Sequence, residues 1–185
     1  MMKISIKYIN FMSLSVAIFA SFCFYSSFSW AETTPKDLQV LGRALGFLEK
    51  PLTGSVVVGV VYAPGNSASE ADLKAVQDTL AKGLKSGNVT LEAKAIPITA
   101  LGSEINDLKV IFVTEGLSSQ YEQIVAAIKD KGILSVTTDL GCVQAEKCAV
   151  GVKSEPKVEI IVSRAAAGAV GVAFSASFRM MIKEI

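Results

Sequence analysis

Hydrophobic positions along this chain alternate between two rhythms. Some runs are continuously apolar and rich in β-branched residues, which suits strands buried on both faces. Between them apolar residues recur every three or four positions, which suits helices with one covered face. The clearest case spans 108–138. Leu-Lys-Val-Ile-Phe-Val-Thr at 108–114 predicts a central strand. Ser118 or Ser119 is placed to cap a helix carrying Tyr121, Ile124, Val125 and Ile128 on one face, and Gly132 stops it. Residues 133–137 predict the next strand, completing a β-α-β unit.

The flanking segments repeat the alternation. Thr34-Pro35-Lys36-Asp37 opens a helix with Leu38, Leu41, Leu45 and Leu48 on its apolar face, ended by Pro51. The run 54–62 predicts a second central strand, in which Gly59 allows a close approach. After a turn over 63–67, Ser69-Glu70-Ala71-Asp72 opens a helix striped by Leu73, Val76, Leu80 and Leu84 and closed by Gly87. The partly alternating run 89–98 predicts a strand nearer an edge, followed by a loop or short helical turn over 100–107. Beyond Thr138 the pattern predicts a loop over 139–148 and a hairpin of strands at 149–152 and 157–162. A short helix capped by Ser163 follows, then an extended link, and a last helix capped by Ser175 runs to the end. The fold class expected is α/β, a three-layer sandwich with a mostly parallel central sheet flanked by helices and a C-terminal β-hairpin and helix.

The first 31 residues follow neither rhythm. Lys3 and Lys7 precede a largely apolar stretch at 11–24, and Ser29-Trp30-Ala31 presents small residues where a signal peptidase looks, so 1–31 reads as a secretory signal cleaved after Ala31. Ser13, Ser15 and Ser21 interrupt the apolar stretch, which argues against a retained anchor, and bulky Phe22 argues against lipidation at Cys23. The expectation is an exported single domain, 32–185, with no membrane span once the signal is removed. Although 51% of the 185 residues are hydrophobic, the leader inflates that figure. Without Lys3 and Lys7 the 18 basic residues fall to 16, against 17 acidic ones, so there is no electrostatic case for nucleic acid.

Export changes the reading of the cysteines. Cys142 and Cys148 form an even pair in a secreted chain, and the expected state is a disulfide that fixes the shape of a small loop. A metal site needs further ligands, and the chain contains no His, so no metal and no cofactor is expected. The missing His also excludes Ser-His-Asp and Cys-His catalysis, and the chain reads as a non-enzyme. The best candidate for binding is a rim formed by two loops at strand ends. Pro64, Gly65, Asn66 and Ser67 make one loop, and Thr114, Glu115, Gly116 and Ser118 the other. If both strands are parallel, the loops share one edge of the sheet, where α/β folds bind ligands.

Several of these segments carry a likeness. Phe47-Leu48-Glu49-Lys50-Pro51, Val58-Gly59-Val60, the strand at 108–114, the segment from Gly132 to Cys142, Val158 to Ser163 with the following alanines, and Phe174 to Met181 occur in an order that resembles the YfiR-like periplasmic proteins. The resemblance covers nearly all of 32–185. It implies a periplasmic regulator that binds a membrane-bound signalling protein, such as an inner-membrane diguanylate cyclase, and that often forms a homodimer. It also implies a late loop disulfide matching Cys142 and Cys148. Lys50 stands where the family often has Trp, Ser163 stands in place of its usual Asn, and no cysteine lies between residue 32 and Lys109 for the earlier bridge of the best-known member. A rival likeness, carried by the run from Gly59 to Asn66, is to one lobe of an ABC-type periplasmic solute-binding protein, which implies a small-ligand-binding module.

Overall fold

The computed structural model describes residues 33–185. The signal segment, its cleavage point and Cys23 lie outside the described residues. Among those described, no helix is long and apolar enough to cross a membrane.

The chain begins with α1 (Pro35–Leu45), then β1 (Gly54–Tyr62), α2 (Ser67–Leu80), the hairpin of β2 (Leu84–Ser86) and β3 (Val89–Pro97), and α3 (Leu101–Glu104). It continues with β4 (Val110–Val113), α4 (Tyr121–Ile128), β5 (Leu134–Thr137), α5 (Leu140–Gln144), β6 (Val150–Lys153) and β7 (Glu159–Val162). It closes with α6 (Arg164–Ala169), α7 (Ala176–Arg179) and β8 (Lys183–Glu184). Among the described residues the strands form one eight-stranded sheet in the order β2-β3-β1-β4-β5-β6-β7-β8. The β2–β3 and β6–β7 pairs are antiparallel and the others parallel. The expected α/β sandwich is the fold observed.

The period of two along the strands sorts their side chains between two cores. Val58, Val60, Val110, Phe112, Leu134 and Val136 point to a core closed by Leu38, Leu41 and Leu45 of α1 and Val76 and Leu80 of α2. Val61, Ile111 and Val113 point the other way, into a core closed by Leu101 of α3, Ile124 and Ile128 of α4, and Val143 of α5. Gly59 is required by this second layer, because a Cβ there would stand 2.5 Å from Leu108 Cδ1. Phe47 stacks on Phe178 with ring centroids 4.8 Å apart, tying the exit from α1 to α7.

Five boundaries differ from the sequence reading. The first helix stops at Leu45, not at Pro51. The second stops at Leu80, because Gly83 at φ +73 turns the chain and Leu84 becomes the start of β2. That short strand pairs outside β3, so the strand expected nearer an edge lies one place inside it. The predicted loop between Thr138 and Cys148 contains α5, capped by Asp139, whose Oδ1 accepts from Gly141 N at 2.9 Å. The last helix is a single turn without a side-chain cap from Ser175. The chain then leaves it because the open edge of β7 supplies partners: Ile185 N donates to Val162 O and Arg164 N to Ile185 O, both at 3.0 Å.

Asp37 fixes how α1 meets the sheet. Its Oδ2 accepts from Thr34 N at 2.8 Å and from Thr34 Oγ1 at 2.7 Å, and its Oδ1 accepts from the buried Ser154 N at 2.7 Å. Burial alone would raise its pKa, but the hydrogen bonds from Thr34 and Ser154 outweigh it and hold the carboxyl below the ordinary range. Replacing Asp37 with Ala strands the Thr34 and Ser154 amides and is expected to cost about 2–3 kcal/mol at neutral pH, read from urea midpoints. The group's folded pKa is depressed, so its contribution is present above the ordinary aspartate pKa of about 4 and lost as pH falls through the lowered value. The gap between wild type and D37A therefore narrows only in that acid window.

Candidate functional site

Among the five strands β1, β3, β4, β5 and β6, numbered in chain order, the spatial order is 2-1-3-4-5, and the direction of winding reverses between β1 and β4. In a doubly wound sheet the crevice beyond the carboxyl ends of the strands at that reversal is where ligands bind. Val61 pairs with Val113, so the two strands end at the same level and their following loops meet. These are the two loops singled out in the sequence.

Asn66 joins them. Its Oδ1 caps α2 by accepting from Ser69 N at 3.1 Å, and its Nδ2 donates to Gly116 O at 3.0 Å. Gly116 sits at φ +78, and a Cβ there would lie 2.8 Å from Asn66 Oδ1, so only glycine fits. The expected cap, Ser69, is displaced one turn into the helix and does something else. Its Oγ accepts from Ala63 N at 2.9 Å and donates to Thr114 Oγ1 at 2.6 Å, while Thr114 Oγ1 donates to Val61 O at 2.9 Å. This buried chain of hydroxyls locks the end of β4 to the end of β1.

Asp72, on the same helix, is 2% exposed. Its Oδ2 accepts from Glu115 N at 3.0 Å and its Oδ1 from Thr33 N at 3.2 Å. Thr33 is buried too, its hydroxyl bonded to that of Thr138 at 2.8 Å. The segment leading into α1 is thus sewn across the rim. On the far side Tyr121 OH donates to Asp139 Oδ2. The Tyr121 phenol is pushed well above its ordinary pKa by burial and by its bond to that carboxylate.

Above this network opens a crevice of about 500 Å³. Asn66, Glu115, Gly116 and Ser118 border it, joined by Thr138, Asp139, Leu140 and Lys153. Thr114 lies beneath its floor, fully buried. Pro64, Gly65 and Ser67 are exposed on the outer side of the turn and do not border it. Gly65 N instead donates to Glu70 Oε1 at 2.8 Å. Neither Ser118 nor Ser119 caps the following helix; Ser118–Gln120 forms a 3₁₀ turn that leads into α4 without a side-chain cap. Sequence reasoning missed Thr138 and Asp139, although they follow the next parallel strand and the same strand-end rule would have found them. Lys153 ends β6, the fifth strand of that order, and the reading of 149–162 as a hairpin hid that this strand runs parallel to β5.

Cys142 and Cys148 are joined as expected, with Cα atoms 5.3 Å apart. The bridge ties α5, whose first residue borders the crevice, to the start of β6, and Lys147 Nζ reinforces it with an ion pair to Glu122 Oε1 at 2.7 Å. Among the described residues no group of three or more His, Cys, Asp or Glu side chains is placed to hold a metal ion.

No protein-family model matches this chain, and no curated protein matches it.

Burial raises the pKa of Glu115, and the nearby Asp72 carboxylate adds to the effect; Lys153 works against it and Asp139 with it. A carboxyl raised in the folded state destabilises the fold wherever it is ionised. Glu115→Gln is therefore expected to raise the unfolding temperature at neutral pH. The gain should disappear as pH falls below the ordinary Glu range, about 4.3, where both states of the wild type are protonated. Melting curves across pH 3–8 check it.

Proposed function

We propose that this chain is an exported, non-enzymatic regulatory binding protein, and that the rim between β1 and β4 engages the extracytoplasmic part of a membrane signalling protein such as a diguanylate cyclase. The observation that carries the reading is the construction of the rim. Its buried hydroxyls and Asp72 are spent on holding two loops and the lead-in to α1 in one arrangement. The groups left at the surface, Ser118, Glu115 and Lys153, form a fixed polar face of mixed charge. Such a face recognises by shape and charge without rearranging, which lowers the ordering cost of association. The disulfide and the absence of a membrane-spanning helix among the described residues fit an exported chain, and the likeness to YfiR-like periplasmic proteins supplies the type of partner.

A second reading is favoured by the position of the crevice. A reversal point in a doubly wound sheet is the usual seat of a small ligand, so a ligand-binding module like one lobe of a solute-binding protein is the alternative.

Affinity capture from solubilised membranes, with the full chain as bait, is expected to recover a signalling cyclase or sensor. The exposed Ser118→Arg change, which fills the crevice, should abolish the recovery. Capture unaffected by S118R would remove the rim from the account. No membrane partner, together with a metabolite that raises the unfolding midpoint of wild type but not of S118R, would establish the second reading instead.

A further inference from the structure

A second depression, of about 490 Å³, opens at the opposite end of the sheet. Four connections meet there: the link from α1 to β1, the turn into β4, the turn into β5, and the link after α6. Its floor lies at the margin of the larger core. Leu48 and Leu134 are buried members of that core, and Leu52 and Val172 pack on it half-buried. The walls stay low at Gly132 and Gly171, where a Cβ would meet nothing within 4 Å.

Backbone amides of the walls are already used. Glu49 N donates to Ala173 O at 2.9 Å, Gly132 N to Val170 O at 3.0 Å and Leu134 N to Lys109 O at 2.9 Å. The Glu49 carboxylate lines the same groove, and its charge adds to that of Glu184 in raising the pKa of the Arg179 guanidinium. Beside that carboxylate stand an apolar floor and two lysines at the lip, Lys50 and Lys109, which outnumber the single acid. Both are exposed, and among the described residues neither side chain has an ion-pair or hydrogen-bond partner. The volume falls in the range of small-molecule sites, roughly 300–1,000 Å³. An occupant complementary to this surface has a hydrocarbon body and one anionic head.

We infer that the groove binds an aliphatic carboxylate, its chain against Leu52 and Val172 over Leu48 and its head paired with Lys50 and Lys109. A neutral analogue forfeits the charge pairing, and a short acid forfeits the apolar contact, so both halves are needed. The groove is remote from the rim, and the inference stands apart from the function proposed above.

Calorimetric titration of the full chain with octanoate, octanol, octylamine and acetate tests it. Octanoate is expected to bind saturably, and the other three at least tenfold more weakly. The K50Q/K109Q double variant should lose octanoate affinity at least tenfold while melting like wild type, since both side chains lie at the surface. The rim variant S118R should bind octanoate normally. Failure of octanoate to bind, equal binding of octylamine or octanol, unchanged affinity in K50Q/K109Q, or loss of binding in S118R would each overturn the assignment.

Discussion

The structure depends on β1 having a parallel neighbour on each side. A strand so placed has its backbone groups consumed by two ladders, and both of its faces must be covered. One helical layer cannot do that, so the chain puts α1 and α2 on one face and α3 to α5 on the other. The reversal of winding beside β1 follows from the same demand, since its two parallel neighbours must be reached in opposite directions. Where the loops diverge, a crevice is left. The position of the rim is a consequence of the topology, and the side chains only furnish it.

How the rim is furnished shows a division of labour by depth. Hydroxyls and carboxylates below the surface are paired with backbone amides or with one another, as burial without water requires. Ser69, Thr114, Asp72 and Thr33 belong to this stratum. Glu115, one residue beyond Thr114, has its amide in that stratum and its carboxylate in the crevice. Its protonation therefore responds to the acids around it, while its backbone stays fixed.

The strands of the central unit and the two loops were legible because their signals are redundant. A run such as Val110 to Val113 has no reading but a strand covered on both sides, and Asn66 and Gly116 mark turns by composition. Failures fell where one spacing serves two structures. Leu80 and Leu84 are four apart, as in a helix, yet Gly83 lies between them and the second belongs to β2. Phe178 and Ile182 repeat the ambiguity near the end, where the free edge of β7 outcompetes a second helical turn. In sequence Asp72 is one residue of a helix-opening run, and nothing local announces that Thr33 and Glu115 will converge on it. Thr138 and Lys153 reach the crevice at the carboxyl ends of β5 and β6, so the strand-end rule anticipates the first, and the second only once β6 is known to run parallel to β5.

The two flanks of the sheet carry one more implication. It is bounded by a three-residue strand on one side and a two-residue strand on the other, the first with Lys85 at its centre and the second made of Lys183 and Glu184. Unpaired backbone along a long, flat margin is a template on which another chain can add itself, and brevity and charge both deny that template. The apolar strands at the centre, β1, β4 and β5, each have a neighbour on either side. The margin beyond those short strands includes the outer side of β3 after Leu91, where exposed Glu92 and Lys94 set charge of both signs beside the open backbone, so copies of the folded molecule that approach that edge meet charge before they meet unpaired peptide groups.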